Sequence, residues 1–458
     1  MDAPQIRFAH RALDSLRSHI LSDITREQFA LLLGKRHEIQ GLTVVTIHDV
    51  RFPQPDECRR QTIASVSPTK GFVYRILAET QRRLDVDTII DVHTHPFTDT
   101  AWFSGTDDKD ERKFCKYLNE TVEGIHYGSI VLSRKAYQAR LWVSPQGEPS
   151  LIPAIIKAQT ATESIREGSA EESSKDYLDL DHVQSRSALA LGLDTLRQIT
   201  HGQFIVLAGV GGLGSVMAEH LVHQGFPHIG LIDNDRLELS NLNRFVGARY
   251  EDAVSNRLKV DVVAEHLRGI NPEVLVDTLA TEVGDSEAQA MMARADWILL
   301  STDNHASRYI VQKTALTYFV PMISAGVNIS VEPGTQNPRL IDRSGEVIVV
   351  RTGDGYCLNC LGRINMAQVT AESHPDPQVR GKTVARGYVQ GLNVKEPAVK
   401  TLNALISSLA VERLVDQYCP SHTSQPILVY ESHNGACLYQ DADSLYMQPL
   451  GCGHCLLP

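Results

Sequence analysis

The strongest constraint on the fold is a glycine-rich turn between a strand-like run and a helix-like run. The apolar run Phe204–Ala208 leads into Gly209–Gly214, with the spacing GxGGxG, and Val216–His223 then has a helical pattern. Glycines permit a tight turn, and the amides at the start of a helix favour a phosphate. Further strand-like runs at Ile229–Asp233 and Trp297–Ser301 are separated by helical patterns. The sequence therefore predicts a parallel, doubly wound α/β sheet that binds a nucleotide.

The residues that follow the turn bear on which reaction the nucleotide serves. Asp233, at the end of the next strand, is placed to bind ribose hydroxyls, as in an NAD-dependent oxidoreductase. Arg244, Lys259 and Asp303 come later in the chain. An enzyme that joins a carboxylate to an α-phosphate must neutralise two anions and hold Mg²⁺, whereas hydride transfer has little use for these groups. The pattern favours adenylation over the oxidoreductase, which is kept as a rival.

This ordered set resembles the ThiF/MoeB and ubiquitin-activating enzyme superfamily, from about Asp181 to the C-terminus. The resemblance implies that Asp233 holds the ribose, that Arg244 and Lys259 act on the phosphates, and that Asp303 holds Mg²⁺. It also implies that Arg186 reaches into the ATP site of the partner in a homodimer. The remaining ATP-binding positions implied are Gly209, Gly211, Gly212, Gly214, Asp235, Asn241 and Asn304.

Four of the eight cysteines form two CxxC pairs, Cys357 with Cys360 and Cys452 with Cys455. Two such pairs predict a structural zinc site, and the superfamily resemblance implies that the chain returns to bring them together. Disulfides are the alternative, which a cytosolic compartment disfavours. Activating enzymes that form a thioester carry a cysteine in the segment after the first pair, but 361–418 contains none. We expect adenylation and find little support for a thioester.

A second candidate metal site lies upstream. The strand-like run Thr88–Val92 enters His93 and His95, whose side chains share one face of a strand. With Asp107 they supply the three protein ligands of a catalytic zinc, and Glu27 supplies a base. The alternatives are a chance HxH and a helix capping box formed by Ser104 and Asp107. Asp99 and Asp108 are fallback ligands.

The upstream pattern resembles the JAMM (JAB/MPN) metalloproteases, including the seven-residue spacing from Glu27 to Gly34. The resemblance implies that His93, His95 and Asp107 bind zinc, that Glu27 is the general acid/base, and that Ser104 helps to hold the oxyanion. It also implies cleavage of peptide or isopeptide bonds at the C-terminus of ubiquitin-like proteins. Eight residues separate His95 from Ser104 where the family usually has seven, so Ser104 and Asp107 match less closely than the histidines do.

Charge and composition divide the chain. The 458 residues hold 44 basic and 55 acidic residues, a net charge of −11, and 160–181 alone holds seven acidic and two basic residues. We expect a JAMM-like domain over 1–159, an acidic linker over 160–181 and a ThiF-like domain over 182–458. The acidic balance argues weakly against nucleic-acid binding, and no apolar run is long enough to span a membrane. A cytoplasmic protein is expected.

The two resemblances together predict a zinc peptidase fused to an adenylyltransferase, using ATP, Mg²⁺ and two Zn²⁺ ions, one catalytic and one structural. Such fusions resemble components of bacterial ubiquitin-like modification pathways, including antiviral defence. The expected substrate is the C-terminal tail of a ubiquitin-like protein, with a ubiquitin-conjugating-like protein as a possible acceptor. Activation of a sulfur-carrier protein is one alternative. A scaffold that binds the ubiquitin-like protein through an inactive domain is another.

Overall fold

The computed structural model describes residues 3–63, 65–142, 151–157, 159, 166–167, 183–332, 339–374, 376, 397–419, 425–432, 436–446, 452–453 and 455. The chain divides into two compact units, one over 1–173 and the other over 174–456. The predicted acidic linker, 160–181, lies outside the described residues except for 166–167. These two residues pair with a strand of the first unit. The role of 160–181 as a linker between the two domains stays a prediction.

The first unit is built on a mixed sheet, in which the described strands have the order β10-β1-β3-β2-β6-β7-β8-β11, with β9 also pairing with β8. The strands are β1 (Gln5–Phe8), β2 (Phe29–Ile39), β3 (Leu42–Arg51), β6 (Thr88–Thr94), β7 (His126–Leu132), β8 (Ala136–Trp142), β9 (Leu151–Pro153), β10 (Ile155–Lys157) and β11 (Arg166–Glu167). A separate hairpin joins β4 (Cys58–Thr62) and β5 (Ser65–Pro68). The short 3-10 helix Pro55–Glu57 precedes β4.

Strand β2 runs further than its apolar core suggests. Its continuous apolar run ends at Leu33, but the strand continues to Ile39 because it forms an antiparallel hairpin with β3. The turn residues Gln40 and Gly41 have φ of 45° and 81°, and positive φ at both positions suits the right-handed twist of a tight hairpin.

Helices cover both faces of this sheet. They are α1 (Ala12–Ile20), α2 (Lys70–Thr80) and α3 (Gly105–Thr121). Leu32 of β2 packs in one buried cluster with α1, whereas Leu31 and Leu33 pack in another with α2 and α3. Side chains alternate across a strand, so the continuous apolar run of β2 reflects burial on both faces.

The second unit has a sheet in which the described strands have the order β14-β13-β12-β15-β16-β17-β18-β19. Neighbours from β14 to β16 are parallel, and those from β16 to β19 are antiparallel. The strands are β12 (Phe204–Ala208), β13 (His228–Ile232), β14 (Leu275–Leu279), β15 (Trp297–Leu300), β16 (Met322–Val331), β17 (Leu340–Val350), β18 (Ile427–Glu431) and β19 (Cys437–Gln440). The predicted doubly wound α/β sheet is confirmed, and the antiparallel extension is a feature that the sequence pattern did not predict.

The helices of the second unit are α4 (Ser185–Leu191), α5 (Leu193–Thr200), α6 (Gly214–Gln224), α7 (Tyr250–Val254), α8 (Lys259–Ile270), α9 (Ser286–Arg294), α10 (His305–Thr317), α11 (Met366–Glu372), α12 (Lys400–Asp416) and α13 (Asp443–Tyr446). The short 3-10 helix Leu239–Asn241 follows β13. Helix α12 packs against α6 and against strands β16 and β17. Among the described helices, none combines the length and the apolar character needed to cross a bilayer.

Candidate functional site

The glycine turn of the second unit lies where the strand order reverses. Strand β12 pairs with β13 on one side and with β15 on the other, which is where a doubly wound sheet opens a crevice at the carboxyl ends of its strands. Gly209 has a φ of +93°, and a Cβ there would lie 3.1 Å from backbone atoms of Ser301 and Thr302. A Cβ on Gly214 would lie 2.1 Å from the Gly209 carbonyl oxygen, whereas one on Gly211 would meet no described residue within 4 Å. The turn is therefore closely packed at its ends and open at Gly211, where a phosphate can approach.

Asp233 ties the end of β13 to this turn. Its Oδ2 accepts a hydrogen bond from the Val210 amide at 2.7 Å, and its Oδ1 accepts one from the Asp235 amide at 2.9 Å. Burial raises the pKa of Asp233, and the Lys259 ammonium opposes this effect. Lys259 Nζ lies 2.6 Å from Asp235 Oδ2 and 4.0 Å from Asp233 Oδ1. The structure thus brings together three of the predicted nucleotide-binding residues.

The other predicted nucleotide residues take different positions. Arg244 donates through Nη1 to the Ser240 carbonyl and to Asn243 Oδ1, each at 2.9 Å. Asp303 is exposed just beyond the end of β15, and Arg186 is exposed on α4. Two predicted residues have side-chain oxygens that bind backbone amides: Asn241 Oδ1 accepts from Glu238 at 3.0 Å and Asn304 Oδ1 accepts from Ser307 at 2.7 Å.

Asn403, on α12, lies at the glycine turn and was not predicted as a site residue. A Cβ on Gly212 would lie 2.3 Å from Asn403 Nδ2 and 3.0 Å from Cγ and Cδ of Arg244. Asn403 is only 4% exposed, next to the buried Leu402. The available signal in the sequence was a polar residue on the buried face of an otherwise apolar helix.

In the first unit the predicted metal ligands converge. Possible ligand atoms of His93, His95 and Asp107 all lie within 4.8 Å of one another. His93 is the penultimate residue of β6, a strand that is buried throughout, and its Nε2 lies 3.6 Å from Asp107 Oδ1. His93 Nε2 and His95 Nδ1 are both buried without a hydrogen-bond partner among the described residues. Buried ring nitrogens are normally satisfied, so this donor set fits a metal ion such as zinc.

Glu27 lies beside the cluster, with its Oε1 3.9 Å from His95 Nε2. Its position is fixed through the backbone, because its amide donates to the Thr62 carbonyl at 2.9 Å and its carbonyl accepts from Gln61 at 3.1 Å. Burial raises the pKa of Glu27 to about 7, although His93 opposes the shift. A carboxyl group that titrates near neutral pH is suited to accept and then return a proton.

Charges within the cluster also shift the pKa values of two ligands. Burial lowers the pKa of His93, but contacts with Asp107, Asp91 and Glu27 outweigh it, so the net shift is upward. Burial raises the pKa of Asp107, but its contacts with His93 and Ser104 outweigh this and lower it below its usual range. Asp107 is therefore held as a carboxylate, the form that binds metals.

The capping and metal interpretations of Ser104 and Asp107 are compatible. The Ser104 amide donates to Asp107 Oδ2 at 2.6 Å, and Ser104 Oγ accepts from the Asp107 amide at 3.3 Å, which is a capping box at the start of α3. The other carboxylate oxygen of Asp107 faces His93. The fallback ligands lie elsewhere: Asp99 pairs with Arg134 and Lys135, and Asp108 pairs with Arg140.

An aromatic layer that sequence reasoning missed lies against the histidines. The ring centroids of Trp102 and His95 are 5.0 Å apart, and those of Phe103 and His93 are 6.2 Å apart. The Arg140 guanidinium lies 3.6 Å from the centre of the Phe103 ring and forms a buried ion pair with Glu111 at 2.7 Å. The Arg140–Glu111 pair thus supports the Phe103 ring that packs on His93. Because these residues are far apart in the sequence, no local pattern predicted their contact.

The four cysteines of the two CxxC pairs form one cluster. Their sulfurs are separated by 3.6 Å (Cys357–Cys360), 3.9 Å (Cys357–Cys452) and 3.4 Å (Cys360–Cys455). None of these four described cysteines forms a disulfide bond, so the alternative of disulfides is wrong for this structure. Thiolates around a tetrahedral zinc, with Zn–S of about 2.3 Å, lie about 3.8 Å apart, so the cluster fits zinc.

Helix α10 anchors the first pair of cysteines. The buried Gln312 accepts a hydrogen bond from the Leu358 amide and donates to Asn359 Oδ1, each at 2.6 Å. Burial raises the pKa of Cys357 to about 12, and the neighbouring thiols add to this effect. A bound metal would convert these thiols to thiolates and release their protons.

Two sequence families match the chain. The model of the ThiF family matches 184–433, and the model of prokaryotic homologs of the JAB domain matches 9–144. Individual relatives match shorter stretches of the chain. The molybdopterin-synthase adenylyltransferase of Escherichia coli K12 is 30% identical over 161 residues, which are 35% of this chain and 59% of the relative.

The adenylyltransferase and sulfurtransferase uba4 of Aspergillus terreus is 36% identical over 121 residues, which are 26% of this chain and 25% of the relative. The chain thus spans about a quarter of the length of this fungal relative. Among solved structures, Escherichia coli MccB with MccA-N7isoASN matches with a TM-score of 0.46 and 19% identity, over 61% of this chain and 76% of that one.

Proposed function

The chain belongs to the ThiF family and carries a homologue of the JAB domain ahead of its ThiF region, and from this premise we propose a two-reaction enzyme. The second unit adenylates the C-terminal carboxylate of a small ubiquitin-like protein. The first unit hydrolyses a peptide or isopeptide bond at the same C-terminus, either to expose it or to release it from a target. The observation that carries this proposal is the presence in one chain of both a glycine-turn site with Asp233 and Lys259 and a His/His/Asp cluster beside Glu27.

Adenylation forms a bond between a carboxylate oxygen and the α-phosphorus of ATP and breaks the bond to pyrophosphate. In the proposed site the glycine turn receives the phosphates and Asp233 holds the ribose. Arg244 and Lys259 offset the repulsion between the two anions. Asp303, exposed at the end of β15, would hold Mg²⁺, which supplies stabilisation of the leaving pyrophosphate when bound.

Pyrophosphate exchange tests the adenylation. A pull-down with MgATP followed by mass spectrometry identifies the bound small protein, and the purified pair is then assayed for ATP–pyrophosphate exchange. The Asp303→Ala variant is expected to lose exchange by about 100-fold or more, because it removes the Mg²⁺ ligand. Asp194→Ala changes a 92% exposed carboxylate of the same unit and should keep full exchange. Equal exchange by the two variants would remove Asp303 from the mechanism.

For hydrolysis, we propose that Glu27 takes the proton of the attacking water and returns it to the leaving amine. His93, His95 and Asp107 would hold a zinc ion, which supplies an activated water and polarises the carbonyl when bound. The buried position of Glu27 and its raised pKa suit both proton transfers. Ser104 is proposed to help hold the oxyanion.

A substrate made from the identified small protein with a C-terminal extension tests this reaction. Glu27→Gln keeps the size of the side chain and should lower the rate of cleavage by about 10²–10⁴-fold, while zinc content stays unchanged. Glu38→Gln, at an exposed carboxylate of β2 paired with Arg36, should cleave normally. Undiminished cleavage by Glu27→Gln would show that another group is the base.

A second candidate function is activation of a sulfur carrier. It is favoured by the names of the relatives, which are molybdopterin-synthase adenylyltransferase and adenylyltransferase and sulfurtransferase. Mass spectrometry of the small protein after reaction with a sulfur donor distinguishes the two functions, since a thiocarboxylate is the product of one reaction and a conjugate is the product of the other.

The proposal has two further parts. The activated small protein is transferred to a ubiquitin-conjugating-like protein. The chain forms a homodimer through the second unit, and Arg186 reaches into the ATP site of the partner.

A further inference from the structure

The N-terminal half of α12 reaches the glycine turn of the nucleotide site. The Cβ position of Gly212 lies 2.3 Å from Asn403 Nδ2, a distance at which no real Cβ atom fits. The same position lies 3.0 Å from Cγ and Cδ of Arg244. Gly212 therefore leaves the space into which Asn403 and Arg244 converge from two separate segments of the second unit.

Asn403 is buried with one end of its carboxamide unsatisfied. The residue is 4% exposed, and its Oδ1 has no hydrogen-bond partner among the described residues. Its neighbours on the buried side of α12 include Leu402 and Ile406, where an apolar side chain would carry no such cost. A buried amide whose oxygen lacks a hydrogen-bond partner is unfavourable unless a ligand completes the hydrogen bonds of the group.

Ser407, one turn further along the same buried face, provides the contrast. It is fully buried, and its hydroxyl donates to the Leu213 carbonyl at 3.0 Å. Both buried polar residues of α12 therefore meet the glycine turn, Ser407 at Leu213 and Asn403 at Gly212. The Ser407 hydroxyl is satisfied by the turn itself, whereas the carboxamide oxygen of Asn403 has no partner among the described residues.

We propose that Asn403 binds the α-phosphate of ATP through its carboxamide, an inference that rests on the proposed adenylation. Asp233, the proposed ribose ligand, is hydrogen-bonded to Val210 in the same turn, so the phosphate nearest the ribose lies over this turn. Arg244 beside Gly212 provides a positive charge for an anion. A half-turn about the terminal torsion exchanges the donor and acceptor ends of a carboxamide, so its NH₂ group can face a phosphate oxygen.

Titration calorimetry with MgATP, AMP and adenosine tests this inference. Asn403→Ala should lower the affinity for MgATP and for AMP by about tenfold, the effect of losing one hydrogen bond to a charged group. Adenosine lacks the phosphate, so its affinity should stay within about twofold. Asn403→Asp keeps the volume and adds a negative charge, so it should weaken MgATP further, by about 100-fold.

Ser407→Ala is the matched control, because it removes a buried hydrogen bond at the same turn. It should lower the unfolding temperature while leaving the affinity for MgATP unchanged. Unchanged MgATP affinity in the Asn403 variants would overturn the inference, as would an equal loss for all three ligands, which would indicate a structural role. If the unaltered protein binds MgATP, AMP and adenosine equally weakly, the proposed adenylation fails, and this inference fails with it.

Discussion

The molecule contains two clusters of metal-ligating side chains that differ in the number and kind of ligands. The cluster of the second unit consists of four sulfurs, and Cys357 and Cys455 are buried within it. The cluster of the first unit has two histidines and one carboxylate, and it lies beside Glu27. Four thiolates complete a tetrahedral zinc, whereas three ligands leave a position for water.

The surroundings of the two clusters differ in the same sense. Cys357 lies in a buried apolar cluster of the second unit, next to Leu358 and Tyr356, so its metal would contribute directly to folding. His93 and His95 lie at the end of a strand that already pairs with β2 and β7. The metal of the four-cysteine cluster would therefore stabilise the fold of the second unit, whereas the metal of the first unit would bind to residues that the sheet already positions.

The largest effect is expected from Cys357→Ser. This substitution removes one of the four thiolates of the cysteine cluster, so the protein should lose about one of about two zinc ions per chain. The second unit should lose stability on the order of 5 kcal/mol, because the metal links the C-terminal tail to the rest of the unit. Zinc analysis by mass spectrometry and thermal unfolding measure the two quantities.

Cys437→Ser is the control for this prediction, because Cys437 is an exposed free thiol on β19. It should keep both metals and the parent unfolding temperature. Full zinc content in Cys357→Ser would contradict the structural role of the cluster.

His93→Ala should have a small effect on stability and a large effect on activity. It too should lose about one zinc ion per chain, but the stability of the first unit should fall by only about 1–2 kcal/mol, within the usual range for a single substitution. Cleavage should be lost altogether, while MgATP binding by the second unit stays unchanged. His126→Ala changes a half-buried histidine of β7 outside the cluster and should cleave normally. A collapse of stability as large as that of Cys357→Ser would erase the distinction between the two clusters.

The sequence predicted much of both clusters because the ligands lie in short, ordered motifs. His93 and His95 share one face of a predicted strand, and the cysteines come in two CxxC pairs, so spacing together with the family resemblances indicated their chemistry. The support of the ligands could not be predicted in this way. Arg140 reaches Phe103, and Asn403 reaches Gly212, only after distant segments pack together.

The same distinction between local patterns and contacts of distant segments explains which strands could be predicted. Apolar runs such as Phe204–Ala208 predicted buried strands correctly, since burial on both faces leaves an unbroken run. The antiparallel extension β17–β19 and the outer half of β2 contain exposed or partly exposed residues. Their pairing depends on neighbouring strands, which no local pattern specifies.

The smallest effect is expected from Ser104→Ala, which removes one bond of the capping box at the start of α3. The cap contributes about 1 kcal/mol, and Asp107 keeps its hydrogen bond from the Ser104 amide at 2.6 Å, so zinc should be retained. Thr69→Ala is a matched control, since Thr69 caps α2 of the same unit with a bond of the same length, 3.3 Å, to the Phe72 amide.

The two cap variants should lose similar stability in thermal unfolding, but only Ser104→Ala should also cleave more slowly, because Ser104 is proposed to hold the oxyanion. Equal cleavage by both variants would reduce Ser104 to a helix cap. Loss of zinc in Ser104→Ala would show instead that the cap orients Asp107. Zinc binding by the His/His/Asp cluster would then depend on a single local hydrogen bond, unlike zinc binding by the four cysteines.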